Sequence, residues 1–143
     1  VRESDWKNDR DRILRAVNNA LRLPYFVKPA NGGSSIGITK VKADADLSAA
    51  VEEALRFDDK VLVERGVDAR EIEVSVLGND APQASVPGEI VAGGDWSDYA
   101  DKYRDQNSQM IIPAKLARVK HEEMRRLEVE SIQAIGPCVV GGL

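Results

Sequence analysis

The run Phe26-Val27-Lys28-Pro29-Ala30-Asn31-Gly32-Gly33-Ser34-Ser35-Ile36-Gly37 constrains the fold more than any other stretch. It passes from an apolar strand-forming segment, Tyr25 to Val27, through a proline into a loop of small residues. Ile36 to Val41 then reads as a second strand of similar length. Two strands joined by glycine and serine form a hairpin whose loop leaves backbone N–H groups open. Such a loop can wrap phosphate oxygens, because glycine lets the main chain approach closely and serine adds hydroxyl donors. Lys28 places a cation beside it. An ordinary surface hairpin with a solvated lysine fits the same residues, and local chemistry alone does not separate the two. Two other phosphate motifs are excluded. No lysine follows the glycine pair as in G-x-x-x-x-G-K-[ST], and no G-x-G-x-x-G opens a helix.

A chain of 143 residues with 43% hydrophobic content can bury a real core, as one or two compact units. The net charge of −4, from 20 basic and 24 acidic residues mixed along the chain, argues against a nucleic-acid partner, which calls for clustered Lys/Arg. Aromatic content of 5% also disfavours a base-stacking platform. The single cysteine, Cys138, cannot form an internal disulfide, which suits a reducing compartment. No apolar run approaches the roughly 20 residues of a membrane span. A cytoplasmic protein without a membrane partner is the expectation.

Along the chain, residues 1–8 are polar and read as a connector. Asp9 to Leu21 carries Ile13, Leu14, Val17, Ala20 and Leu21 on one stripe, an amphipathic helix stopped by Pro24. Asp44 suits the N-cap of a helix to about Phe57, with Leu47, Ala50, Val51, Ala54 and Leu55 on its apolar face and Glu52 and Glu53 in solvent. Lys60 to Glu64 is a short strand. Glu71 to Leu77 alternates, with Ile72, Val74 and Val76 pointing one way. The turn Gly78-Asn79-Asp80 predicts an antiparallel return at about Gln83 to Pro87. Gly88 to Gln109 lacks periodicity, and a loop of this length suggests function. A helix is predicted over Arg118 to Ile135, with Val119, Met124, Leu127 and Ile132 inward, and Cys138 to Leu143 reads as the start of another strand.

Glu64 and Glu71 bracket the boundary between two predicted units, 1–66 and 67–143. Carboxylates so placed can accept hydrogen bonds from a nucleotide's ribose or adenine, or can be plain surface charges at strand ends. His121, the only histidine, lies on the polar side of a helix, and neither it nor Cys138 suggests a metal site or a nucleophile.

The run F-V-K-P-A-N-x-G-S-S-x-G resembles the phosphate-covering segment of the D-alanine–D-alanine ligases, a family of the ATP-grasp superfamily. Two further blocks follow in family order. Lys60-Val61-Leu62-Val63-Glu64 leads to Arg70-Glu71-Ile72-Glu73, and Asp98-Tyr99-Ala100-Asp101-Lys102-Tyr103 resembles Y-D-Y-x-x-K-Y. The resemblance implies an α+β ATP-grasp fold, with a small subdomain over 1–66 and part of a larger antiparallel-sheet subdomain over 67–143. It gives Lys28, Gly33, Ser34 and Ser35 to the phosphates of ATP, Glu64 and Val67 to adenine, and Glu71 to ribose. It assigns Lys102 and Tyr103 to a lid at about 92–108, with Ser34 meeting the tyrosine hydroxyl. The Lys-Tyr pair fits the peptide-forming branch rather than the ester-forming one. D-alanine is the implied substrate, in an acyl-phosphate reaction serving peptidoglycan synthesis, and a homodimer is the implied full-length assembly.

The match has departures. Gly32 replaces a commonly larger residue, and Gly136-Pro137-Cys138-Val139-Val140 differs from G-C-x-G-L-A-R-V-D. The family's flanking segments, including its magnesium ligands, are not in the chain. The expectation is therefore a central and partial C-terminal portion, inactive alone, with Mg2+ ligands elsewhere. The alternatives are a catalytically dead nucleotide-binding or interaction fragment and an ATP-grasp ligase for other substrates.

Overall fold

The computed structural model describes residues 1–92, 108–135 and 140–142. They fall into two compact units, the first spanning Val1–Asp68 and the second beginning at Ala69.

In the first unit the order is α1 (Glu3–Asn8), α2 (Arg10–Ala20), β1 (Tyr25–Pro29), β2 (Thr39–Val41), α3 (Leu47–Ala54) and β3 (Val61–Arg65). β1 is the middle strand of an antiparallel sheet, β2-β1-β3, in which Val27 stands opposite both Thr39 and Val63. Strand side chains alternate between faces. Tyr25, Val27 and Pro29 are therefore buried together, while Phe26 and Lys28 are half-buried on the other face. The predicted stripe of α3 is the one found: Leu47, Ala50, Val51 and Ala54 are all buried and join Val27, Val41 and Val61 in one core. Burying a side chain such as Leu47 contributes roughly 1.5–3 kcal/mol. Asp9 caps α2 by accepting a hydrogen bond from the Arg12 amide at 3.0 Å. Glu52 and Glu53 are surface charges as expected, paired with Arg10 and Arg56.

Three expectations for this unit are corrected. Residues 1–8 are not a connector: Val1 and Val61 exchange backbone hydrogen bonds at 2.8 Å, and Trp6 of α1 is in the core under the guanidinium of Arg10. One large apolar ring is enough to dock a polar helix. The second hairpin strand begins only at Thr39. Ser34, Ser35 and Gly37 have φ of 56°, 61° and 71°, which extended chain cannot accommodate. Asp44 does not cap α3. It sits in a single 3-10 turn, Asp44–Asp46, and its carboxylate lies 2.8 Å from the Tyr25 hydroxyl instead.

In the second unit the elements are β4 (Glu71–Glu73), β5 (Ser75–Leu77), β6 (Gln83–Ala84), β7 (Gly88–Val91), β8 (Gln109–Ile111), α4 (Arg118–Ile135) and β9 (Val140–Gly142). They make two antiparallel sheets, β4-β7-β8 and β6-β5-β9, and α4 packs on the latter. The turn at Gly78, φ 108°, returns the chain so that Val76 faces Ala84, as the sequence predicts.

The predicted strand Glu71 to Leu77 divides at Val74 between the two sheets, while keeping its alternation. Gly88–Val91, read as irregular, is a strand with β8 as partner. A proline and glycine at its start mask the pattern. α4 has the predicted limits but not the predicted inward face. Ile132 is buried, whereas Val119 is 76% and Leu127 47% exposed, and Glu128 is buried. Hydrophobicity alone did not register the helix rotation.

Candidate functional site

The face of the β2-β1-β3 sheet opposite the core carries Phe26, Lys28, Lys40, Leu62 and Glu64, as the register requires. Lys28 pairs with Leu62 and Glu64 with Phe26, so the two charged side chains are diagonal neighbours. Their ends meet, with Lys28 Nζ 2.8 Å from Glu64 Oε2. Lys40 lies over the Phe26 ring, 5.7 Å from its centroid. The Lys28 and Glu64 side chains are 32% and 49% exposed. An ion pair open to solvent contributes about 0–1 kcal/mol to folding. Turning Lys28 towards an incoming anion therefore sacrifices little stability.

The Gly/Ser loop closes a cavity of about 220 Å³ whose lining includes Lys28, Asn31, Gly33, Ile36, Ile38 and Leu62. That volume is below the roughly 300–1,000 Å³ of a drug-sized site and suits a phosphate-sized group better than a whole nucleotide. Two turns shape the loop: the Ile36 amide donates to the Gly33 carbonyl at 3.2 Å and Ile38 to Ser35 at 3.4 Å. Gly37 passes so close to Phe57 that an added Cβ would stand 2.5 Å from the ring. At the near end Asp58 accepts from the Asn31 amide at 2.7 Å, the Asn31 side chain at 2.8 Å and the Lys60 amide at 3.1 Å. Those donors, Lys60 first, hold the Asp58 carboxyl below its ordinary range. Nothing in the sequence marked Asp58, because Asn31 is brought to it by strand pairing.

Of the residues singled out from sequence, Lys28, Gly33, Ser34, Ser35, Glu64 and Val67 belong to the first unit. Lys28 and Gly33 line the cavity and Glu64 touches Lys28, while Val67 is 64% exposed beyond the end of β3. Glu71 opens β4 in the second unit, opposite Ile90 and exposed. Lys102, Tyr103 and nearly all of the proposed lid lie outside the described residues.

Beside Glu71 the structure contains a contact that sequence reading missed. Arg70 donates to both carboxylate oxygens of Glu89, each at 2.6 Å, and to the Lys115 carbonyl at 3.1 Å. This fork ties the start of β4 to β7 and to the chain after β8, fixing the backbone next to Glu71. Hydrogen bonding to Arg70 lowers the Glu89 pKa against the opposing effect of burial, and raises that of Arg70. Among the described residues no three carboxylate, histidine or cysteine side chains converge as a metal site.

The two-unit α+β architecture, with a lysine-bearing sheet and a covering Gly/Ser loop, is that of the ATP-grasp ligases. The family model described as D-ala D-ala ligase C-terminus matches residues 1–138, and the chain belongs to that family. The D-alanine–D-alanine ligase of Clostridium acetobutylicum is 41% identical over 94% of this chain and 39% of its own length. That of Chlorobium phaeobacteroides is 46% identical over 100% of the chain and 39% of its own. The VanG D-Ala:D-Ser ligase of Enterococcus faecalis superposes with a TM-score of 0.82 at 29% identity, over 95% of this chain and 40% of that protein. The chain thus spans about two-fifths of the length of the curated relatives it matches. No helix among the described residues is long and apolar enough to cross a membrane.

Proposed function

We propose that this chain supplies the ATP-binding part of a cytoplasmic D-alanine–D-alanine ligase that works as a homodimer. The observation that carries the reading is the Lys28 ammonium, which lines the cavity under the Gly/Ser loop and pairs with a half-exposed partner, Glu64.

In this reading Lys28 neutralises phosphate charge, and the backbone N–H groups and hydroxyls of Gly33, Ser34 and Ser35 hold phosphate oxygens. Glu64 and the chain at Val67 receive adenine, and Glu71 the ribose hydroxyls. Lys102 and Tyr103 enter on the sequence match alone, as closing-lid residues with Ser34 as the latch. ATP phosphorylates the carboxylate of one D-alanine, giving an acyl phosphate and ADP. The amine of a second D-alanine attacks the acyl carbon, expels phosphate and forms the dipeptide used in peptidoglycan. Catalysis of phosphoryl transfer is mostly positioning and charge stabilisation, and one fixed lysine with aligned N–H groups provides part of both. The described residues offer no set of three carboxylate, histidine or cysteine ligands for magnesium.

The curated relatives at 41% and 46% identity are D-alanine–D-alanine ligases, which supports D-alanine as the second substrate. The test is calorimetric titration of the 143-residue chain with ATP, together with a dipeptide assay. The expected result is nucleotide binding without D-alanyl-D-alanine. Absence of any ATP binding by the folded chain would overturn the nucleotide reading, and dipeptide formation would overturn its inactivity alone.

A further inference from the structure

We propose that Asp58, in the turn between α3 and β3, is the positioning residue that fixes the shape of the Gly/Ser loop for phosphate; the proposal rests on the nucleotide reading above. The evidence is a clamp at both ends of the loop by two consecutive residues. Asp58 Oδ2 takes the amide and side-chain N–H groups of Asn31, where the loop begins, and Oδ1 takes the amide of Lys60. The Ala30 amide donates to the Lys60 carbonyl at 2.8 Å, completing the seam. At the loop's other end the Phe57 ring lies against Gly37, with room only for a hydrogen at the Cα.

Between these anchors Ser34 and Ser35 hold φ of 56° and 61°. Side chains rarely adopt that left-handed conformation, and it persists only where the surroundings over-determine it. At the two ends of the loop those surroundings include Asp58, on Asn31, and Phe57, against Gly37. A carboxylate suits the task because its two oxygens accept three N–H groups, while an amide has one acceptor oxygen and would aim its own N–H at the remaining donors. Asp58 meets no phosphate in this scheme. It acts through Asn31, setting the loop so that its N–H groups converge beside Lys28. Without the clamp the loop would sample other conformations, and each ATP would bind only the competent fraction.

The test compares the chain with Asp58→Ala and Asp58→Asn, reading amide hydrogen exchange by NMR and the affinities of an unhydrolysable ATP analogue and of adenosine. For Asp58→Ala, exchange at Asn31 and Lys60 should accelerate and analogue affinity fall about tenfold, the scale of lost charge-assisted hydrogen bonds. Adenosine affinity should stay within about twofold, because only phosphate contacts depend on the loop. Asp58→Asn, keeping one acceptor, should fall between. A merely structural role would weaken both ligands together. Unchanged exchange at Asn31 would overturn the clamp. Changed exchange with unchanged analogue affinity, or equal loss for both ligands, would overturn its role in phosphate binding. If the unsubstituted chain bound neither ligand, the nucleotide reading and the phosphate role would both fall, while exchange would still decide whether the clamp exists.

Discussion

Glu64 sits one strand over and two residues out of register from Lys28, and their charged ends meet at 2.8 Å on the face of the sheet turned away from the core. The two residues have different proposed partners, phosphate for Lys28 and adenine for Glu64, so removing them should leave different signatures. Lys28→Ala should weaken ATP binding by on the order of 1.5–3 kcal/mol, the scale of a charged hydrogen bond, and leave adenosine nearly unaffected. Glu64→Ala should weaken ATP and adenosine alike. Calorimetry on both variants checks this, and an unchanged ATP affinity in folded Lys28→Ala would remove that lysine from the site.

The Arg70–Glu89 fork predicts an acid-sensitive second unit. The folded-state pKa of Glu89 is lowered from its ordinary value of 4.5, first by hydrogen bonding to Arg70. A depressed carboxylate contributes stability above its unfolded pKa and loses it as pH falls through the folded value. Stability should therefore decline below about pH 4.5, and Glu89→Gln should flatten that decline while lowering the plateau near neutrality. Urea midpoints between about pH 2.5 and pH 7 give the comparison. Parallel curves for the two proteins would show that the fork does not contribute to acid sensitivity.

Most of the local architecture was legible because it is written in short periods. The α3 stripe at Leu47, Ala50, Val51 and Ala54, the turn at Gly78 and the limits of α4 all rest on neighbours within a few residues. What escaped reading is non-local or rests on a single residue. Trp6 anchors a polar helix by one ring. Asp58 finds Asn31 only because β1 and β3 pair, and Arg70 finds Glu89 only because β4 and β7 do. The same holds for the site. The motif marked Lys28 and Gly33, which line the cavity, but not the turn beside the loop, and the Ser34 and Ser35 it also marked are not in that lining. Glu128 is the converse case, a charged residue on α4 that is buried, which its residue type does not signal.

Tyr25 is the polar exception in the first core. Its ring is 2% exposed, and its hydroxyl lies 2.9 Å from Asn18 Oδ1 and 2.8 Å from Asp44 Oδ1, with one proton to donate. Asn18 and Asp44 are near enough to solvent to hydrate when the phenol oxygen is removed. Tyr25→Phe should therefore destabilise by about 1 kcal/mol, the net value of an ordinary hydrogen bond. Burial first, then the hydrogen bond to Asp44, raises the Tyr25 pKa above its ordinary 10.0. A raised pKa contributes stability in full below the unfolded value and loses it as pH rises through the folded one. The alkaline fall in the urea midpoint above about pH 10 should thus be shallower in Tyr25→Phe. Superimposable alkaline limbs would count against the buried phenol as its cause.

Two glycines of the loop, Gly33 and Gly37, separate folding from binding. Gly37 combines φ of 71° with a ring contact that an added Cβ would meet at 2.5 Å. Gly37→Ala should destabilise the first unit by roughly 2 kcal/mol or more, since the left-handed conformation alone costs about 1–2 kcal/mol and the ring must also shift. Shortening the ring in Gly37→Ala/Phe57→Leu should not restore full stability, because the backbone term remains and Phe57 itself is lost. Gly33 differs. Among the described residues nothing lies within 4 Å of the point a Cβ would occupy on it, so Gly33→Ala should leave the urea midpoint nearly unchanged. Gly33 nevertheless lines the cavity beside Lys28, and a methyl group there would hold a phosphate away from the backbone. The expected outcome is a stable Gly33→Ala protein with ATP affinity reduced about tenfold and adenosine affinity preserved. Equal ATP binding by Gly33→Ala and the unsubstituted chain would place the phosphates elsewhere than under this loop.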